Sequence, residues 1–211
     1  DISSHLLYCN QYGITGELLE KYDVICASRV NKKYNKDDNF VECLVSLPDY
    51  PIFAYSYNRT DSNCFCIINN IKDNKRFYKI YTPGRMERFK SNLRGQWVDG
   101  FKQLRHKSNV LIITKSRKDV MCLDLLGFEA ISFNSESTTI DKEFIDILRS
   151  IYIYIYILYD NDNAGYKGAT KIFNEHGLKM IFIPVDTKDV SDTIKKYGIE
   201  KTKNIIQSLL I

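Results

Sequence analysis

The chain has 211 residues, with 30 lysines and arginines against 26 aspartates and glutamates and a formal net charge of +4. That length buries a real core and allows one large domain or two small ones. The charge is mild, so any nucleic-acid signal has to come from clustering. No apolar run approaches a membrane span and no signal peptide opens the chain, so no membrane partner and a cytoplasmic location are expected. The first residue is Asp1, which gives the expectation of a fragment excised from a longer chain. The six cysteines are scattered, with no CxxC, and the three histidines lie far apart. This argues against a zinc site and for buried free thiols in a reducing compartment.

In chain order, "SSHLLYCNQYG" predicts a helix stopped at Gly13, and "ITGELLEKYD" a short second helix with Leu18 and Leu19 inward. After the polar run "NKKYNKDDN" come strand candidates "FVECLVSL", "PIFAYSY", "CFCIIN" and "FYKIY", separated by turn clusters as in a small antiparallel sheet. The stretch "KDNKRFYKIYTPGRMERFKSNLRGQW" overlaps the last of these. Lys72, Lys75, Arg76, Lys79, Arg85, Arg88, Lys90 and Arg94 stand there against only Asp73 and Glu87, with Phe77, Tyr78, Tyr81, Phe89 and Trp97 interleaved. Cations neutralise phosphates and exposed aromatics stack on unpaired bases. A solvated strand with its aromatics in a core would look the same residue by residue, but the cluster as a whole favours nucleic acid.

From residue 107 the pattern changes to alternation. "NVLIIT", "EAISF", "IYIYIYILYD" and "KMIFIPV" read as strands, and "RKDVMCLDLLG", "DKEFIDILRS", "AGYKGATKIFNEHG", "VSDTIKKYG" and "EKTKNIIQSLL" as helices. This implies an α/β fold, a parallel sheet flanked by helices, with ligands at the carboxyl ends of its strands. The Ile/Tyr strand, apolar on both faces, ends in Asp160 and Asp162. Side chains at i and i+2 point the same way, so both carboxylates can reach one cation, and hard oxygen donors select Mg²⁺ or Mn²⁺. A solvated turn that caps the next helix is the plain alternative. A calcium loop is rejected because Lys171 stands where a bidentate Glu is required. An aspartyl-phosphate phosphatase is disfavoured because its DxD opens the domain, whereas this one follows two βα units.

The order of these blocks resembles the TOPRIM domain of phage and bacterial DNA primases. The resemblance rests on "LIITKSRKDVMCLDLLGFEAISFNSES", on "YDNDNAG" and on "IPVDTKDVSD", and covers roughly residues 108 to 198. "YGITGELLEKYDV" and "FYKIYTPGRMERFKSN" are similar to the basic subdomain that precedes that fold in the family. The resemblance implies a small mixed α+β basic subdomain over 1–106, a TOPRIM domain over 107–198 and a carboxyl-terminal helix over 199–211. It implies an RNA-polymerase core that joins ribonucleoside triphosphates on a single-stranded DNA template, with Mg²⁺ or Mn²⁺ and with a replicative helicase as a further partner. Asp160, Asp162 and Asp189 would hold the metal, and Lys79, Arg85, Arg88 and Lys90 the template or nucleotide. Aligning Asp119 with the family's "EGxxD" puts Lys115 where its Glu stands. Glu136 is the expected replacement carboxylate, and Lys115 the expected contact of a phosphate or an acid. A TOPRIM nuclease or topoisomerase-like enzyme and a non-catalytic nucleic-acid-binding module are the alternatives. Neither a zinc module nor a GxxxxGK[ST] helicase loop occurs in the chain.

Overall fold

The computed structural model describes residues 3–33, 40–57, 77–93, 97–133 and 139–210. The expected strand "CFCIIN", the cations Lys72, Lys75, Arg76 and Arg94, and the candidate acid Glu136 lie outside the described residues.

Helices α1 (Ser3–Asn10) and α2 (Gly16–Lys21) open the fold. Strands β1 (Val24–Ala27), β2 (Arg29–Lys33), β3 (Phe40–Val45), β4 (Ile52–Tyr57), β5 (Phe77–Tyr81) and β6 (Phe89–Ser91) follow. They form an antiparallel sheet of order β1-β4-β5-β6 and a separate β2-β3 ribbon. The rest of the chain contributes β7 (Val98–Asp99), β8 (Val110–Thr114), α3 (Arg117–Leu125), β9 (Ala130–Phe133), α4 (Lys142–Ile151), β10 (Tyr154–Leu158), α5 (Asn163–His176), β11 (Lys179–Ile181), α6 (Val190–Tyr197) and α7 (Ile199–Leu209). The second sheet has the order β11-β10-β8-β9-β7 and is parallel except for β7, which runs antiparallel to β9.

The expected parallel sheet is therefore present, and its central strands show why they read as unbroken apolar runs. Leu111, Ile112, Ile113 and Ile157 are fully buried because helices or the other sheet cover both faces. The Ile/Tyr run is not one strand throughout. α4 extends through Ile151, and Ile153 and Tyr154 are exposed at the start of β10. Tyr152, between α4 and these exposed residues, turns inward, and its hydroxyl donates to Glu129 Oε2 at 2.6 Å.

The aromatics of the basic segment divide. Phe77, Tyr81 and Trp97 belong to the core, with the Trp97 ring packed on Tyr57 and Phe77 at 5.3 and 5.7 Å. Of the two readings open for these rings, core filling is the one that holds for these three, while Phe89 is exposed. Among the described residues Cys9, Cys26, Cys43 and Cys122 are free thiols, of which Cys9 and Cys122 are buried. No helix among the described residues is long and apolar enough to cross a membrane.

A buried ion pair joins the two sheets. Arg117, in the first turn of α3, donates from Nε and Nη2 to Asp99 Oδ1 at 2.9 and 2.6 Å. Asp99 lies on β7 of the parallel sheet. The guanidinium also lies 4.2 and 5.0 Å from the ring centres of Tyr57 and Tyr55 on β4, and donates to the Tyr22 carbonyl at 3.1 Å. One planar cation thus satisfies a carboxylate, two π faces and a carbonyl from both halves, a set of partners a lysine could not reproduce. Arg117→Met should lower unfolding stability by about 3–5 kcal/mol, because it strands the Asp99 charge in the interior. Arg117→Met combined with Asp99→Asn should recover part of that loss. Urea denaturation of the three variants measures both effects.

Candidate active site

Parallel strands bring their carboxyl ends to one edge, and the chemistry of this chain collects there. β8 runs into Lys115, β10 into Asp160, and the segment after β11 into Lys188 and Asp189. A backbone hydrogen bond from Asn161 N to Lys188 O, 2.7 Å, ties the last two segments together. The turn after β10 is tight. A Cβ on Gly165 would lie 2.2 Å from the Asp160 carbonyl oxygen, so only glycine lets the first turn of α5 sit on the Asp160 backbone.

Asp160 is 1% exposed, and its Oδ2 receives two ammonium groups, Lys115 Nζ in direct contact and Lys188 Nζ at 3.2 Å. Lys188 Nζ also lies 2.8 Å from Asp162 Oδ2, so one positive charge bridges both carboxylates. Asp162 caps α5, its Oδ1 accepting from Gly165 N at 2.8 Å. That backbone bond and Lys188 hold its carboxyl down at about 2. Burial pushes Asp160 up, and the Lys115 ammonium opposes it. Lys188 is raised by its bonds to Asp162 and Asp160.

A second charged group lies beside the first. Ser116 caps α3 by accepting from Asp119 N at 3.1 Å, and its hydroxyl donates back to Asp119 Oδ2 at 2.5 Å. Asp119 Oδ1 accepts from Ser191 N at 3.3 Å, which links α3 to α6. Burial first, and the Asp189 carboxylate second, push Asp119 well above the usual carboxylate range. Burial works against the charge on Lys118, but Asp119 and the facing groups hold that ammonium up.

This edge faces the antiparallel sheet across a cleft of about 320 Å³. Lys79, Tyr81, Arg88 and Phe89 line the wall on the antiparallel sheet, and Lys115, Lys118 and Lys188 the other. Lys79 Nζ lies 4.9 Å from the Phe89 ring centre, and burial lowers its pKa. Six lysines and arginines line the cleft against Asp189 and Asp192, so its balance is cationic.

Of the residues singled out in the sequence, Lys115, Asp160 and Asp162 come together, and Lys79, Arg88 and Asp189 line the cleft that Lys115 also lines, whereas the two carboxylates sit behind its lysines. Asp189 does not join the other two aspartates around a common point. It caps α6, its Oδ1 accepting from Ser191 Oγ and Asp192 N at 2.7 Å each. Among the described residues no three His, Cys, Asp or Glu side chains gather to hold one ion. Arg85 and Lys90 do not line the cleft. Arg85 donates to the Val45 carbonyl at 2.7 Å and lies over Tyr50, and Lys90 pairs with Glu87 at 3.1 Å. Arg117, Lys118 and Lys188 were not singled out in the sequence as site residues, and Asp119 entered only through the alignment with "EGxxD". The signal available was their position: charges placed directly after parallel strands, in or just before the first turn of the next helix.

No family model and no curated protein sequence matches the chain. Solved structures do. The Aquifex aeolicus primase (zinc-binding and RNA polymerase domains) is 14% identical with a TM-score of 0.61, over 96% of this chain and 55% of that one. A DnaG primase catalytic domain bound to single-stranded DNA is 15% identical with a TM-score of 0.61, over 98% of this chain and 74% of that one. The primase fragment of the bacteriophage T7 primase-helicase is 15% identical with a TM-score of 0.58, over 96% of this chain and 73% of that one. The fold is that of the DnaG-type primase catalytic core, with its TOPRIM sheet. The chain spans about half the length of the first of these structures.

The raised carboxyl of Asp119 sets a pH dependence. A group held above its unfolded pKa favours the fold in its neutral form. Its stabilising share is complete below about pH 4 and is lost as the pH rises through about 7. Asp119→Asn, which stays neutral, should therefore gain stability over the parent chain at pH 8 and lose that advantage toward pH 4. Thermal melts across this range test it, and an advantage that grows on acidification would contradict the assignment.

Proposed function

We propose that the chain is the catalytic core of a DNA primase, a nucleotidyltransferase that joins ribonucleotides on a single-stranded DNA template. The observation that carries the reading is a cationic cleft at the carboxyl edge of a primase-type sheet, two of whose lining lysines, Lys115 and Lys188, pair with Asp160 and Asp162 just behind it. Residues 1–106 supply one wall of this cleft and residues 107–198 the acid-bearing edge.

In this reading the primer 3′-hydroxyl attacks the α-phosphate of the incoming nucleotide, the new phosphodiester bond forms and pyrophosphate leaves. Lys79 and Arg88 on one wall and Lys118 on the other grip the triphosphate, a task that suits compact or forked cations. Lys188, half exposed and within reach of both aspartates, is placed to follow phosphate charge as it develops. Exposed Phe89 offers a ring face to a base.

The donor chemistry fits a divalent cation. Two hard-oxygen carboxylates already close on one positive charge, that of Lys188. Asp160 and Asp162 would hold Mg²⁺ or Mn²⁺, which when bound supplies neutralisation of the phosphate charge. The helicase partner is proposed on the precedent of the phage T7 primase-helicase. One observation favours a non-catalytic nucleic-acid-binding module instead, namely that Lys115 pairs with Asp160.

Incorporation of labelled ribonucleotides on several single-stranded templates decides between these readings. Even outer-shell partners of a metal are worth about 10–100-fold, so Asp162→Ala should cut incorporation by at least about a hundredfold. The single-stranded DNA affinity of that variant should hold. Arg88→Glu should weaken DNA or nucleotide binding and lower the salt slope by about 1. A parent chain that binds DNA but incorporates nothing on any template would favour the binding module.

A further inference from the structure

The Asp160–Asp162 pair carries two positive charges of its own, and they differ in kind. Both lysines touch the Asp160 carboxylate, which is 1% exposed, but Lys115 is 24% exposed and lies in direct contact with it, whereas Lys188 is 51% exposed, stands off at 3.2 Å and is shared with Asp162, itself 37% exposed. An ion pair at the surface is worth little and is readily exchanged. A partner that covers a buried carboxylate is not, because its departure leaves an uncompensated charge in the interior. Lys115 also follows directly on β8, a strand fixed by pairing with both β9 and β10.

We infer that Lys115 is a permanent internal counter-cation for Asp160 and Lys188 an exchangeable one, so that the free chain holds divalent cations weakly and Lys188 leaves the carboxylates when a polyphosphate enters the cleft. The inference rests on the nucleotide-binding reading of the cleft but not on catalysis. Lys115 provides charge where a carboxylate would provide a ligand, since an ammonium has no lone pair to offer a metal. Lys188 has two sets of partners within one cleft, the aspartates on its own edge and any phosphate held by Lys79 and Arg88 opposite. The resting site is neutral on balance, two aspartates against two lysines, and the phosphates bring the negative charge that makes a divalent cation favourable.

Mn²⁺ binding followed by electron paramagnetic resonance, with and without a ribonucleoside triphosphate, tests this without any turnover. The parent chain alone should bind Mn²⁺ no more tightly than about 10⁻⁴ M, and Lys115→Glu should tighten binding at least about tenfold, since affinity follows ligand charge count. Lys115→Gln should tighten it by less than Lys115→Glu, and by more than Lys188→Ala, which should stay within about fivefold of the parent. Circular dichroism checks each fold, and if Lys115→Glu does not fold, the order of Lys115→Gln and Lys188→Ala decides. Stoichiometric micromolar Mn²⁺ binding by the parent chain alone would overturn the inference, as would Lys115 variants indistinguishable from it. If the Mn²⁺ order holds but no template supports incorporation, the polymerase reading fails and this one stands. The reverse result separates them in the other direction.

Discussion

Everything at the carboxyl edge follows from one buried carboxylate. Asp160 closes a central parallel strand and is almost wholly out of water, where an unpaired charge is costly. Its neighbours are arranged around that fact. Gly165 yields its side chain so that α5 can start on the Asp160 backbone, Lys115 is delivered by the adjacent strand, and Lys188 by the segment hydrogen-bonded to Asn161. Asp162 lies one residue beyond Asn161 at the surface, where it caps α5 and shares Lys188. The cap and the candidate ligand are the same side chain, so the turn and the cation-binding readings of this stretch are two descriptions of one geometry.

A second constraint holds the opposite wall of the cleft. The antiparallel sheet carries Lys79 and Arg88, and their distance from the acids depends on how the two sheets are joined. Arg117 joins them within two residues of Lys115 and next to Lys118. The helix that opens with "SRKD" therefore bolts the sheets together through its Arg and faces the cleft through its Ser and Lys. It also reaches α6 through its Asp. Packing and chemistry are adjacent in sequence, which ties the shape of the cleft to the position of its charges.

The parallel sheet was legible because short apolar runs such as "VLIIT" alternate with helical patterns, as strands buried on both faces do. What stayed hidden was non-local or short. β7 is two residues long and gains its place only by pairing with β9, and β2 is largely polar. Phe77, Tyr81 and Trp97 were ambiguous because interleaved cations and aromatics look alike whether the rings stack on bases or fill a core. Their burial is decided by Tyr57 and other residues distant in sequence. Asp160, Asp162 and Lys115 were legible from position at strand ends. The Lys188 bridge was not, because it depends on a backbone contact between two loops.

The central claim is that the two aspartates and the facing cations form one nucleotide site. A crystal structure with Mn²⁺ and a non-hydrolysable ribonucleoside triphosphate tests it most directly through the anomalous signal of the metal. The account predicts a peak between Asp160 and Asp162, triphosphate oxygens on Lys79 and Arg88, and Lys188 turned from the carboxylates to the phosphates. A metal bound elsewhere, or a nucleotide outside the cleft with Lys188 still bridging both aspartates, would contradict it.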